Sequence, residues 1–124
     1  MTHQPRCTFC DIVTGKTPAR IIAQSERAIA FLDPTPASVG HTVVITKAHV
    51  DDLFASDTDA WTAVTALAHA VAKTMQREGL ADGVNIMHAS GAAAQQSVKH
   101  LHVHVLPRHD GDGLDAWVRA EKRS

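Results

Sequence analysis

Three histidines stand at positions 100, 102 and 104 of this 124-residue chain, with Leu101, Val103 and Val105 interleaved. The alternation predicts a strand. A strand sends alternate side chains to opposite faces, so the three imidazoles share one face at steps of about 6.6–7 Å while the aliphatic residues enter a core. On a helix His102 would lie nearly opposite its two neighbours, so the spacing is informative only on a strand. Pro107 cannot donate to a ladder and is expected to end that strand or to mark an edge position. One imidazole on a strand is ordinarily a partnered polar side chain; a row of three suits metal ligation or phosphoryl chemistry. Imidazole titrates near pH 6.5 and serves as nucleophile, acid or base.

Two further stretches carry reactive groups. Cys7-Thr8-Phe9-Cys10 sets two thiols three residues apart, half of the donors a tetrahedral zinc needs. The pair does not follow a strand, as a thioredoxin-like pair would, although inert thiols and a redox pair remain open. From Ala89 to Ser97 the chain is nearly free of bulky side chains. Such a loop lets backbone N–H groups approach an anion, and small residues also make plain turns. Gln96 and Ser97 add polar groups at its end. Asp33, before Pro34, suits either two sugar hydroxyls or ordinary turn chemistry.

These groups need a frame. Cys7–Val13 reads as a short helix closed by Gly15 and Pro18. Arg20–Ala23 and Ala28–Leu32 read as strands joined by a polar turn, and Asp33-Pro34-Thr35-Pro36 as a rigid loop. Gly40–Thr46 is a third strand. A long helix is predicted from Asp57 or Thr58 to about Glu78, with Gly79 as its stop. Trp61, Val64, Ala68, Val71 and Met75 make an apolar stripe along it that belongs in the core. Gly83–Met87 is a further strand, before the small-residue loop and the histidine strand. Beyond Gly111 the pattern gives a Gly/Asp turn and a brief polar helix, with Trp117 and Val118 as its large apolar groups. Five strands in hairpin-rich order with one long helix argue an α+β fold with a mainly antiparallel sheet.

The length fits one domain with an ordinary core, spanning residues 1–124. A formal net charge of −1 gives no electrostatic reason to expect nucleic acid or an acidic membrane surface as partner. No apolar run approaches the ~20 residues of a membrane span and no signal-peptide pattern opens the chain, so a cytoplasmic protein is expected. With two cysteines in such a setting, metal or redox chemistry is favoured over a structural disulfide.

Taken together, these motifs make the chain resemble the histidine triad (HIT) family, whose mark is His-x-His-x-His followed by apolar residues. Phe31-Leu32-Asp33, Gly40-His41-Thr42-Val43-Val44-Ile45, Lys47-Ala48-His49, Gly91 and Gln96-Ser97-Val98 fall in the family's order and spacing. The resemblance covers roughly residues 7 to 109, with 110–124 as a tail. It implies a HIT-like fold and nucleotide hydrolysis or transfer through a covalent histidine intermediate. By position His102 is the nucleophile, attacking the α-phosphorus of a purine nucleoside 5′-phosphate derivative. His104 binds phosphoryl oxygens together with backbone donors of the loop, His41 supports the row as a fourth family histidine, and Gln96 and Ser97 hold phosphate or leaving group. Asp33 matches the ribose-binding carboxylate, and Phe9, Ile12, Phe31 and Leu32 match the base pocket. The resemblance further implies a homodimer, with Trp61 and Trp117 as aromatic interface candidates. It also implies a structural Cys₂His₂ zinc on Cys7, Cys10, His49 and His100.

The chain departs from the family pattern at a few positions. Ala89 stands where many members carry an amide that reaches the nucleotide, a contact that Ser90 is placed to replace. Pro34 sits where an aliphatic residue often touches the base, and Gln95 replaces a small residue. The Lys99 position and the Leu106-Pro107-Arg108 ending are similar to the branch that cleaves dinucleoside polyphosphates, whereas the N-terminal half is closer to bacterial phosphoramidate hydrolases. Two rivals remain at this level: a zinc hydrolase whose metal sits on His100, His102 and His104, and a non-catalytic nucleotide-binding module.

Overall fold

A computed structural model of the chain describes residues 3–4 and 6–118. The elements run α1 (Thr8–Thr14), β1 (Ile21–Gln24), β2 (Ala28–Leu32), β3 (Thr42–Thr46), α2 (Thr58–Arg77), β4 (Gly83–Met87) and β5 (His102–Arg108), with a 3₁₀ turn at Ala92–Ala94 before β5. The sheet order is β1-β2-β3-β5-β4 and every pairing is antiparallel. This is the α+β architecture expected, with one long helix and a short N-terminal one. The crossover through α2 takes β4 to the far edge, and β5 returns into the gap beside β3. The histidine strand is therefore interior, paired on both sides.

Local chemistry explains the boundaries. Cys7 caps α1 by accepting the Cys10 N–H on its sulfur, and Gly15 closes the helix at φ 82°. Asp57 caps α2 by accepting the N–H of Ala60, a bond of the kind worth about 1 kcal/mol. The third strand begins at Thr42, two residues later than the pattern suggested. Gly40 stands at φ 90°, and a Cβ there would meet Pro107 Cγ at 3.3 Å, so the chain is still turning at that point.

Pro107 neither ends β5 nor lies on an edge strand. Its carbonyl accepts from Ser38 Oγ at 3.0 Å, on the β3 side but past the last β3–β5 pair, Thr42–Val105. The N–H that proline lacks would point to that same side, where no ladder bond is required. On the other side the strand pairs with β4 through Arg108.

Two apolar layers enclose the sheet. Against α2, Ala28, Ala30, Val44, Leu101, Val103 and Val105 pack on Val64, Leu67, Ala68, Val71 and Met75. Trp61, the first residue of the predicted stripe, is only partly buried and packs on the edge of that layer. On the opposite face Phe9 and Ile12 of α1 cover Ile29, Phe31, Val43 and Ile45. Each Val, Leu, Ile, Phe or Met side chain so buried contributes about 1.5–3 kcal/mol. The triad lies on this same face, with Phe9 of α1 against the rings of His100 and His102, and with His102 and His104 opposite Ile45 and Val43. The predicted polar helix after Gly111 does not form within the described residues: 112–116 have no regular structure, and the remainder of that expectation, 119–124, lies outside them.

Candidate active site

The nucleophile candidate is fixed by its own backbone. His102 Nδ1 lies 2.6 Å from the carbonyl oxygen of His100. A carbonyl only accepts, so Nδ1 carries the hydrogen and the lone pair of a neutral ring is on Nε2. Burial lowers the His102 pKa, which keeps the ring neutral at physiological pH. Phe9 stands edge-on to the ring with centroids 5.1 Å apart, and His104 edge-on from the other side at 5.2 Å. The side chain is 4% exposed, so little rotation is open to it.

His104 is given the opposite tautomer by a relay of partners. The Ala37 N–H donates to His41 Nδ1 at 3.1 Å, which leaves the hydrogen of neutral His41 on Nε2. That Nε2–H faces His104 Nδ1 at 2.9 Å, so the hydrogen of neutral His104 sits on Nε2. Burial and the neighbouring His102 push the His104 pKa down to about 4. Asp33 Oδ2 stands 3.6 Å from His41 Nε2, while Asp33 Oδ1 accepts both the N–H and the hydroxyl of Thr35. Asp33, His41 and His104 bring three donor atoms close enough for a metal ion. The proton positions oppose one: a metal on His41 Nε2 would force the hydrogen onto Nδ1, against the Ala37 N–H. The row thus offers a lone pair at His102 Nε2 beside an N–H at His104 Nε2.

His100 does not share that row's chemistry. It precedes β5 rather than lying within it, and it is fully buried. Its Nε2–H donates to the Thr46 carbonyl at 2.8 Å, which turns the Nδ1 lone pair toward Cys7 Sγ at 3.3 Å and Cys10 Sγ at 3.6 Å. His49 is arranged alike: its Nε2–H meets Asp51 Oδ1 at 2.7 Å and its Nδ1 faces Cys10 Sγ at 3.3 Å. Zn–S of about 2.3 Å and Zn–N of about 2.0–2.1 Å at tetrahedral angles imply S···N separations of about 3.6 Å. Both imidazoles already have the outer hydrogen-bond partner that metal-bound histidines use. The Gln4 N–H and the Cys10 N–H also point at Cys10 Sγ and Cys7 Sγ. The donor set Cys7, Cys10, His49 and His100 can hold a metal ion.

The small-residue loop is shaped by Gln96. Its Oε1 accepts the Gly91 N–H at 2.8 Å, and its Nε2 donates to the carbonyls of Asp51 and Val98. Inside the loop Ala94, Gln95 and Gln96 also direct their N–H groups to loop carbonyls. Ser97 is exposed at its end. The Ser90 hydroxyl is engaged with the Leu53 N–H at 2.8 Å and with His88 Nε2 at 2.6 Å. Phe9, Ile12 and Phe31 share the histidine face, but Leu32 does not. One step along the pleat from Phe31, it lines an apolar cavity of about 890 Å³ beneath α2. None of the triad histidines lines that cavity.

Comparison with known proteins agrees with this geometry. The HIT domain model matches residues 14–111. The chain belongs to the histidine triad family. A HIT-like protein of Mycoplasma genitalium is 39% identical over 120 residues, covering 95% of this chain and 85% of that one. A HIT-like protein of Methanocaldococcus jannaschii is 35% identical over 107 residues, covering 86% and 82%. Among solved structures, a zinc-bound histidine triad family protein from Mycobacterium smegmatis superposes with a TM-score of 0.86 at 38% identity, covering 94% of this chain and 84% of that chain.

Within this HIT domain three groups around the site were not singled out by sequence. Thr46 and Asp51 orient the imidazoles of His100 and His49, and His88 contacts the carbonyl of His102 at 2.8 Å. Asp51, two residues after His49, was visible as a neighbouring carboxylate. The roles of Thr46 and His88 depend on pairing across the sheet and carried no local signal.

Proposed function

We propose that this HIT domain hydrolyses purine nucleoside 5′-phosphoramidates at the α-phosphorus, through a covalent nucleotidyl intermediate on His102. The observation that carries the reading is the 2.6 Å bond from His102 Nδ1–H to the His100 carbonyl, which leaves Nε2 as a lone pair. In the first step Nε2 attacks phosphorus, the P–N bond to the amine breaks, and the amine leaves with one proton taken from solvent, which the attacking water gives back in the second step. The ring becomes an imidazolium, whose Nδ1–H remains bonded to a carbonyl dipole suited to the positive charge. His104 Nε2–H donates to the phosphoryl oxygens as charge gathers on them. Water then attacks phosphorus, the P–N bond to His102 breaks, and the nucleoside monophosphate departs.

The apolar face of Phe9, Ile12 and Phe31 supports a purine ring at the end of the triad, and Asp33 stands where ribose hydroxyls reach a carboxylate. Ser97, exposed beside the triad, holds phosphate or leaving group; Gln96 acts by fixing the loop. The distances among Cys7, Cys10, His49 and His100 support a structural zinc, since four protein donors leave no open position for water. The chain pairs with a second copy across the long helix, with Trp61, partly buried on that helix, and the exposed Trp117 as its aromatic contacts. Sedimentation showing only a monomer at micromolar concentration would exclude that.

The experiment is release of AMP from adenosine 5′-phosphoramidate by the protein and by His102→Ala. Loss of a covalent nucleophile raises the barrier by about 4–6 kcal/mol, several orders of magnitude in rate. Equal rates in the two proteins would sink the covalent mechanism. Turnover of diadenosine polyphosphates alone would move the substrate to the other branch. Nucleotide binding with no turnover of either class would leave a binding module, the outcome that Ala89 and Pro34 favour.

A further inference from the structure

The ladder between β4 and β5 ends at the pair Met87–His104. Beyond it the carbonyl of His102 is met by a side chain, with His88 Nδ1 2.8 Å away. The carbonyl accepts, so Nδ1 is protonated, and Nε2 of the neutral ring accepts from the Ser90 hydroxyl at 2.6 Å. Ser90 in turn takes the Leu53 N–H at 2.8 Å. Trp61 stands edge-on to the His88 ring, with centroids 4.9 Å apart, so the imidazole is wedged between α2 and the sheet. His102 is held at both ends: its ring through Nδ1 to His100, and its own carbonyl by His88.

We propose that His88 is a positioning residue for the nucleophile: it fixes the peptide plane after His102 and so the aim of Nε2. This rests on the covalent-histidine reading above. An attacking atom must lie within a few tenths of an ångström of its line, and a misplacement of about 1 Å costs ~100-fold. The peptide following His102 enters the β3 ladder on its other side through the pair Val44–Val103, and His88 adds the tie on its carbonyl side, which limits the tilt that would swing the His102 Cα–Cβ bond. The adjoining peptides are already tied, Leu101 N–H to the Val50 carbonyl at 2.7 Å and the His100 carbonyl to the His102 ring.

Three variants separate this role from simple tethering of the loop. An asparagine amide nitrogen falls near the place of Nδ1 and keeps the donor to His102. A glutamine amide falls near Nε2 and keeps only the link to Ser90. Leucine fills the space and donates nothing. With adenosine 5′-phosphoramidate, His88→Leu and His88→Gln are expected to lower kcat about 10-fold with KM within about twofold, and His88→Asn to stay within about threefold of the parent. Long-range ¹H–¹⁵N spectra should show His102 as a single Nδ1–H tautomer in the parent and in His88→Asn, and a shifted ring in the other two. Recovery by glutamine instead of asparagine, or losses that simply follow Tm, would overturn the proposal. If the parent shows no turnover, the hydrolase reading fails separately. The spectra then decide, and an unshifted His102 ring in His88→Gln refutes the positioning role.

Discussion

Removing metal from the cysteine–histidine cluster should weaken the fold while sparing the chemistry. In the metal-free form each sulfur still has an imidazole nitrogen to bond: Cys7 Sγ to His100 Nδ1 and Cys10 Sγ to His49 Nδ1, both at 3.3 Å. Burial pushes the Cys10 thiol pKa up, so it remains a protonated donor. The cluster therefore collapses onto internal hydrogen bonds and leaves no buried charge. Metal then contributes by linkage alone, about 2.7 kcal/mol at 100 times its Kd and about 4.1 kcal/mol at 1,000 times. For a chain of this length each kcal/mol moves Tm by about 3–6 °C, so a strong chelator should lower Tm by roughly 8–25 °C. His102 should keep its tautomer, because the His100 Nε2–H bond to the Thr46 carbonyl and the Leu101 bond to Val50 persist without metal. The assay is AMP release measured well below the chelated Tm, with unfolding followed in parallel. A rate within about threefold of the untreated protein is expected, with Cys10→Ser behaving like the chelated form. Activity abolished by chelator while the protein stays folded, and restored by zinc, would refute this and place a catalytic metal on the triad instead.

His41→Leu removes the donor to His104 Nδ1 and the acceptor of the Ala37 N–H. His104 then loses the contact that keeps its hydrogen on Nε2 and aimed at the phosphoryl oxygens; a charge-assisted bond of that kind is worth about 1.5–3 kcal/mol, so kcat should fall about 10- to 150-fold. Urea unfolding should show a further loss of about 1–3 kcal/mol from the orphaned N–H, and an unchanged kcat would remove His41 from the relay. Stability should also fall in acid. His104 is held near pKa 4 in the folded state against 6.5 when unfolded, so the unfolded chain takes up protons first. The stabilisation is complete above about pH 6.5 and is lost as pH falls through about 4. After allowance for the partial exposure of the ring, His104 accounts for about 2–3 kcal/mol of that loss. Denaturant titrations at pH 7.5, 5.5 and 4.5 measure it, and equal stabilities would refute it.

The parts of the fold legible in the sequence were those governed by period. Alternation around His100–Val105, the 3.6-residue stripe of α2 and the run Thr42–Thr46 each mark which face is buried, and burial is what the sheet and helix obey. What failed locally was decided by partners distant in sequence. Pro107 reads as a strand terminator, yet it continues β5 because β3 has already ended beside it and Ser38 takes its carbonyl. Leu32 follows Phe31 in the family motif, but adjacent residues on a strand cannot share a face, so only Phe31 reaches the α1 layer. Ser90 looks free to reach a ligand until the packing of residues 51–53 brings the Leu53 N–H to it.

The chemistry of the triad was legible as three histidines and no further, because identical side chains acquire different functions from the atom each ring faces. A carbonyl at Nε2 of His100 turns its lone pair on Nδ1 to the thiols; a carbonyl at Nδ1 of His102 leaves the lone pair on Nε2; a donor at Nδ1 of His104 leaves an N–H on Nε2. Those facing groups are Thr46 on β3, the backbone of His100, and His41 in the turn before β3. Two of the three lie more than fifty residues upstream of the rings they orient. The register of β3 against β5, Val43 opposite His104 and Ile45 opposite His102, sets the first and third together, while the His100 carbonyl is local to the ring it orients. A slip of one residue would part His100 and His104 from the groups they face. Division of labour between His100 and His104 is thus a property of sheet register, and a variant that preserves every histidine but shifts β3 should lose the His104 Nε2–H tautomer and the turn of His100 toward the thiols together, while His102 keeps its Nδ1–H.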